Sequence, residues 1–275
     1  MIIESEEIIK VMSEKFFKDI SVYDYSYIMQ TIQARIACLS LKSDSEYLDL
    51  LNSDPYESVY LYSVLNNVYS EFFRNPLTFS LLEKLIFPRL FRKNNVISHP
   101  EIRVWSAGCS AGQEAYSIAI LLEDYRIASR SSINLRIFAT DKSEVEIEAA
   151  RKGIYNLRAI QNTRLSLINQ YFSHSGEQFS VKSNIKEMVD FSVFDLLEND
   201  YMVPPPSIYG DFDLVICSNL LFYYKPEIQK KILSKVVDAL ADDGFLVSDE
   251  AELSIIKAFT PLKQFIPASS IFIKS

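Results

Sequence analysis

Apolar positions along this chain follow two different rhythms. Up to about residue 75 they recur at helical spacing. Ile8, Ile9, Met12, Phe16 and Phe17 suit one helix face; Ile28, Ile32, Ile36 and Leu39 suit a second; Tyr47, Leu48 and Leu51 a third; Val59, Tyr62, Leu65 and Tyr69 a fourth. Ser5 before Glu6 and Asp54-Pro55 before Tyr56 are the expected helix starts. No strand-like alternation interrupts this region, so the spacing predicts an all-helical domain over residues 1–75.

From residue 76 short apolar runs alternate with helical patterns. A helix from Phe79 to Phe91 leads to a strand at 102–106 and a helix at 112–125. Leu135–Ala139 reads as a second strand ending in Thr140-Asp141, followed by a helix that starts at Ser143 as N-cap and stops at Gly153 after Lys152. After a polar, weakly periodic section at about 154–188, Met188–Val193 and Asp213–Cys217 read as strands and Pro226–Leu240 as a helix. Asp242-Asp243-Gly244 reads as a turn into Phe245–Ser248. Strands alternating with helices imply an α/β domain over 76–275, a doubly wound and mostly parallel sheet. Leu262–Ile266 and Ser270–Lys274, with no long helix between them, imply one antiparallel edge strand.

Composition narrows the function. With 48% hydrophobic and 23% charged residues the chain can build a substantial core. Its longest apolar runs, Ser117–Leu122 and Leu214–Tyr224, are too short or too interrupted to cross a bilayer, and MIIESEE is acidic where a secretion signal is basic. A cytoplasmic protein without direct membrane insertion is expected. Cys38, Cys109 and Cys217 are an odd, scattered set that suits reduced thiols, and with His99 and His174, both expected in loops, they show no zinc spacing. No metal is expected. A net charge of −8 argues against nucleic acid as the main partner. Residues 1–75 carry 6 Lys plus Arg against 12 Asp plus Glu, a net −6, so most of the acidity precedes the α/β domain.

The stretch Glu101–Asp124, EIRVWSAGCSAGQEAYSIAILLED, is a strand, a turn through Gly108 and Gly112, and a helix. Only 6 of 275 residues are Gly, against the roughly 7% usual in proteins, so two within five positions mark a backbone need. Glycine lets backbone approach a ligand, and a helix start offers unpaired N–H groups. In an open α/β sheet the ligand lies beyond the carboxyl ends of the strands. Four polar strand ends converge there: Gly108–Gly112, Asp141, Asp195, and Ser218-Asn219. Asp141 is placed to accept hydrogen bonds from a ribose diol. Neither GxGxxG nor GK[ST] is present, which disfavours nicotinamide and triphosphate ligands and leaves S-adenosylmethionine as the best fit.

WSAGCSAGQEAYSIAILL, FATDKSEVEIEAARKGIY, FDLVICSNLLFYYKPEIQKKIL and EFFRNPLTF, in this family's order and spacing, resemble the CheR family of S-adenosylmethionine-dependent chemoreceptor methyltransferases. The resemblance covers nearly the whole chain. It implies a helical N-terminal domain, a class I methyltransferase-like catalytic domain, and a small β insert at about 155–187. It also implies methylation of glutamate side chains on a chemoreceptor signalling helix, with S-adenosylhomocysteine as product. By position, Arg74 matches an active-site arginine that contacts the cofactor beside the substrate carboxylate, and Tyr223 a tyrosine next to the transferred methyl. Ser70 stands for a cofactor-touching threonine, Glu114 and Asn219 match cofactor-binding residues, Asp141 the ribose-binding aspartate, and Asp195-Leu196 a pair flanking the adenine.

Some positions depart from the family pattern. Ser218 replaces the arginine of a CRN sequence, Gln113 an acid and Ala115 a proline of the glycine loop, and Val68 an asparagine. A GHSE sequence becomes Asp249-Glu250-Ala251-Glu252, keeping only the last acid. The family holds acidic receptor helices on a basic N-terminal face, whereas this N-terminal region is net acidic. Two further expectations therefore stand beside the first: a methyltransferase with another protein or small-acid acceptor, and a non-catalytic S-adenosylmethionine-binding scaffold.

Overall fold

The computed structural model describes residues 2–66, 70–94, 100–198, 201–259, 262–267 and 269–274. They form two compact units, one made of residues up to 66 with Phe222–Gln229, the other of 70–221 with the described residues from 230 onward. Residues 70–75 thus lie with the sheet, and Phe222–Gln229 with the helices, the reverse of the sequence reading.

The helical unit contains α1 (Ile2–Glu14), α2 (Tyr25–Cys38), α3 (Asp44–Ser53) and α4 (Pro55–Asn66). Its core takes Ile8, Met12, Ile28, Ile32, Tyr47, Leu51, Leu61 and Leu65. Asp24 caps α2 by accepting from the Ser26 and Tyr27 amides, and Asp54 accepts from Tyr56 N at 2.9 Å ahead of α4. Three sequence expectations are corrected here. α1 begins at Ile2 rather than after Ser5 and ends at Glu14, so Phe17, at φ +55, is 90% exposed. α4 turns Glu57, Ser58, Leu61 and Leu65 inward and leaves Val59 exposed. The reason is polar: Glu57 accepts from Arg35 Nε and Nη2, at 2.9 and 2.7 Å, and from the Tyr47 hydroxyl at 2.9 Å, so a satisfied acid occupies the inner face. Tyr69 lies outside the described residues. Phe222–Gln229 joins this unit through the Tyr23 ring stacked on Tyr224 and the Asp24 N–H donating to the Tyr223 carbonyl at 2.8 Å.

The second unit opens with α5 (Pro76–Leu81), a π-helical turn (Leu82–Ile86) and α6 (Phe87–Asn94). Pro88 has no N–H for the Lys84 carbonyl, and the widened turn, with Phe87 N–H donating to Leu82, accommodates it. There follow β1 (Glu101–Ala107), α7 (Gln113–Ala128), β2 (Asn134–Asp141), α8 (Glu144–Lys152), β3 (Ile154–Asn156), α9 (Leu157–Ile160), α10 (Leu165–Tyr171), β4 (Phe172–Ser175), β5 (Gln178–Val181) and α11 (Ser183–Lys186). The chain continues through β6 (Val189–Val193), β7 (Phe212–Ile216), α12 (Pro226–Asp238), β8 (Leu240–Val247), α13 (Leu253–Ala258), β9 (Leu262–Gln264) and β10 (Ile271–Lys274).

Seven strands form one sheet in the order β6-β2-β1-β7-β8-β10-β9. The pairs from β6 to β8 are parallel, and β10 is antiparallel to both neighbours. The reversed strand is therefore second from the edge, not the edge itself. Asp242-Asp243-Gly244 is no turn before a strand but part of β8: Asp243 adopts φ +59 and the register against β7 shifts there, a bulge. β3, β5 and β4 make a separate three-stranded antiparallel sheet. Trp105, Ile137 and Leu214 are fully buried in the main sheet, and Tyr116 and Ala119 carry α7 onto it.

Candidate functional site

The ends of β6, β2, β1 and β7 lie side by side, and strand order reverses at β1 and β7. That switch point is where an open α/β sheet leaves a crevice. Gly108, at φ +79, turns the chain off β1, and its N–H and that of Cys109 both donate to the Thr140 carbonyl at 2.8 Å. Ser110 N–H then donates to Asp141 Oδ2 at 2.9 Å, and its hydroxyl to Glu146 at 3.1 Å. Gly112, at φ +87, starts α7; a Cβ there would stand 2.9 Å from that of Ala150 and 3.0 Å from the Phe191 ring. Only glycine fits. From the small sheet, the Tyr155 hydroxyl donates to the Ala111 carbonyl at 2.6 Å and holds the loop from outside.

Two acids face this loop. Asp141 accepts from Ser110 through Oδ2 and from Ser143 N–H through Oδ1 at 2.9 Å. Burial pushes its carboxyl above the usual range and those amides oppose the shift. Glu114 accepts from the Ser106 hydroxyl at 2.8 Å. Its carboxyl is pushed up to about 7, by burial first, with Glu252 adding to the rise and Ser106 and Arg74 opposing it. Such a carboxyl is one that a cation would return to the ionised form. Phe194 N–H donates to the Asp141 carbonyl at 2.9 Å, which brings Asp195 and the buried Leu196 beside Asp141. One Asp195 oxygen is occupied by Leu197 N–H at 2.8 Å.

The segment Ser70–Asn75 is fixed by its own backbone. Phe72 N–H donates to the Ala159 carbonyl at 2.9 Å and Phe73 N–H to the Ser117 hydroxyl on α7 at 3.1 Å, with both rings buried. Phe73 takes φ +51 and turns Arg74 outward, where its exposed guanidinium still acts on Glu114. Ser70 is half-buried ahead of it. After β7, Ser218 is half-buried and Asn219 adopts φ +57, its N–H donating to Glu252 Oε2 at 3.2 Å.

Arg74, Gly108, Glu114, Asp141, Asp195, Leu196, Ser218 and Asn219 thus all belong to the sheet unit, on or beside the strand ends. Tyr223 belongs to the helical unit, where its ring lies 4.5 Å from that of Tyr27. His174 sits exposed on β4 rather than in a loop, and His99 lies outside the described residues. Cys109 and Cys217 are buried, which pushes both thiols well up and keeps them protonated. Sequence reasoning missed Ser106, Ser110 and Glu252; only Glu252, the retained acid after β8, left a signal to follow. Among the described residues, no three of His, Cys, Asp and Glu gather as a metal requires, and no helix is long and apolar enough to cross a membrane.

A glycine turn at the switch point, an acid held by backbone amides at the end of β2 and a half-buried acid at the start of α7 define a nucleoside-binding domain of the methyltransferase class. The residues fit S-adenosylmethionine: Asp141 is an acid of the kind a diol would use as acceptor, and Glu114 is an acid that a cationic ligand would ionise. The family described as CheR methyltransferase, SAM binding domain, matches residues 68–263, and the chain belongs to it as an S-adenosylmethionine-dependent methyltransferase. The chemotaxis protein methyltransferase of Borreliella burgdorferi is 28% identical over 269 residues, 97% of this chain and 93% of that one. That of Salmonella typhimurium is 31% identical over 245 residues, 86% of this chain and 79% of that one. Among solved structures, the S-adenosylmethionine-dependent methyltransferase SibL in its apo form is 16% identical with a TM-score of 0.41, covering 79% of this chain and 56% of that one.

Proposed function

We propose that the chain methylates glutamate side-chain carboxylates on a helix of a chemoreceptor-like protein in the cytoplasm. The support for this reading is that the segment carrying Arg74 is fixed against α7, with its guanidinium charge felt by Glu114: an arginine near the cofactor acid suits a carboxylate acceptor. Gly108, Asp141, Asp195, Leu196, Ser218 and Asn219 would hold the adenosyl part, with Ser70, Arg74 and Glu114 toward the charged end. When bound, the cofactor supplies a methyl carbon on a sulfonium: as the acceptor oxygen bonds to carbon, the carbon–sulfur bond breaks and sulfur keeps the electron pair, leaving a thioether and an ester. A glutamate carboxylate is already ionised at neutral pH, so this chain needs no general base. Its tasks are alignment and exclusion of water. Arg74 presents a fork that matches a carboxylate, and Tyr223 is the phenol that the family resemblance sets beside the methyl.

A second reading, a different acidic acceptor, is favoured by one observation. Of the helical unit's cations, Lys15 donates to Asn52, Lys18 lies over Tyr62 and Arg35 is locked to Glu57, leaving few to form a basic dock. The test is calorimetry with S-adenosylmethionine and S-adenosylhomocysteine, then labelled methyl transfer to receptor fragments. Binding followed by a base-labile label is the expected result. Binding without transfer to any acidic acceptor would leave a scaffold, and no binding would overturn the cofactor reading.

A further inference from the structure

Glu252 is fully buried at the end of a short 3₁₀ turn, Glu250–Glu252, that follows β8. Asp249 and Glu252 form a reciprocal capping box, which accounts for the Asp249 N–H bond at 3.3 Å. The side chain does more than close its own turn. Oε1 accepts from Leu220 N–H at 2.7 Å and Leu221 N–H at 2.6 Å, and Oε2 from Asn219 N–H at 3.2 Å and the Ser248 hydroxyl. Four of these five donors are backbone N–H groups that cannot accept, so they favour the ionised form and oppose the upward push that burial gives this carboxyl.

The three amides belong to the turn that leaves β7 at the switch point, and Asn219 holds φ +57, a conformation that needs support in a residue with a side chain. Leu220 closes the same joint from the other side: a Cβ on Gly108 would be 3.3 Å from its Cδ2. One carboxylate therefore ties the end of β8 to the β7 turn, and through Leu220 to the glycine turn after β1.

We propose that Glu252 is a positioning residue for the cofactor, fixing the Asn219–Leu221 turn as one wall of the cup. This rests on the reading of the cup as the S-adenosylmethionine site. Glu252 also acts at a distance, because its charge is among the causes that push Glu114 up.

Glu252→Gln keeps the shape, turns one acceptor oxygen into a donor facing donors, and removes the charge. In calorimetry on the full chain, the Kd for S-adenosylhomocysteine should rise about tenfold. The pH midpoint of binding, expected near 7 in the parent if Glu114 governs it, should move down. Ser248→Ala, which removes only the hydroxyl donor, should bind within about twofold of the parent at the same midpoint. An unchanged Kd, or a raised Kd at an unmoved midpoint as general loosening would give, overturns the proposal. If Glu252→Gln does not fold, the parent decides: without ligand, the Leu220 and Leu221 amides should exchange slowly with solvent, and fast exchange overturns the anchor. A parent that binds neither cofactor form overturns the cofactor reading and this proposal together, whereas a parent that binds beside an unaffected variant overturns this proposal alone.

Discussion

Glu114 is the side chain in which burial, charge and ligand meet. Its carboxyl takes up a proton below about 7, yet a cationic ligand requires the carboxylate. Affinity for S-adenosylmethionine should therefore rise with pH through about 7 and level off above it, with one proton released on binding below the midpoint and none well above. Calorimetry in buffers of different ionisation enthalpy measures this, and a flat pH profile would remove Glu114 from the site. For the free protein the sign is opposite. The unfolded carboxyl ionises near 4.5 and the folded one near 7, so this group's stabilisation is full below 4.5, falls between those values and is gone above. Arg74 is among the groups holding Glu114 down, so Arg74→Ala should move the binding midpoint up and lower methyl transfer by about a hundredfold or more. Arg74→Lys should restore the midpoint while recovering only part of the rate, because an ammonium lacks the planar fork. Full activity in Arg74→Ala would sink the proposed chemistry.

Among elements, the turn between β1 and α7 separates packing from ligand approach. At Gly112 a methyl group would meet Ala150 and Phe191 at a left-handed φ, so Gly112→Ala should cost about 3 kcal/mol, read as a lower denaturant midpoint at unchanged slope. At Gly108 the neighbour is the flexible end of Leu220 at 3.3 Å, so Gly108→Ala should cost only about 1–2 kcal/mol from the backbone. Its larger loss should be in cofactor affinity, by about tenfold or more; equal effects at the two glycines would show that neither faces the ligand. The elements legible in sequence were those whose limits are local. α8 runs between the bounds that its own cap and stop set, with Ser143 accepting from Glu146 N–H and Gly153 at φ +59. α4 was misphased because a buried acid, satisfied by residues of α2 and α3, occupies its inner face. Pattern alone reads Glu57 as exposed.

For the whole molecule, charge sets the expectation. Residues 1–75 carry a net −6 of the chain's −8, and several of the helical unit's cations are spent on internal partners. An acidic acceptor is then repelled at low ionic strength. Its kcat/KM should rise, through a falling KM, as salt shortens the screening length from about 30 Å at 0.01 M to about 8 Å at 0.15 M. A decrease with salt would instead reveal a basic dock. The sequence by itself determined the alternation of strand and helix, the glycine turn, the acid that ends β2 and the family, because each is a local pattern of spacing and residue type. The tertiary structure decided which side of α4 is buried, that β10 enters the sheet reversed before the edge, and that Glu252 closes the joint between two turns. The first and last of those outcomes depend on hydrogen bonds between groups 10 to 33 positions apart, Tyr47 to Glu57 and Asn219 to Glu252 among them, and no periodicity along the chain encodes which distant donor will satisfy a buried carboxylate.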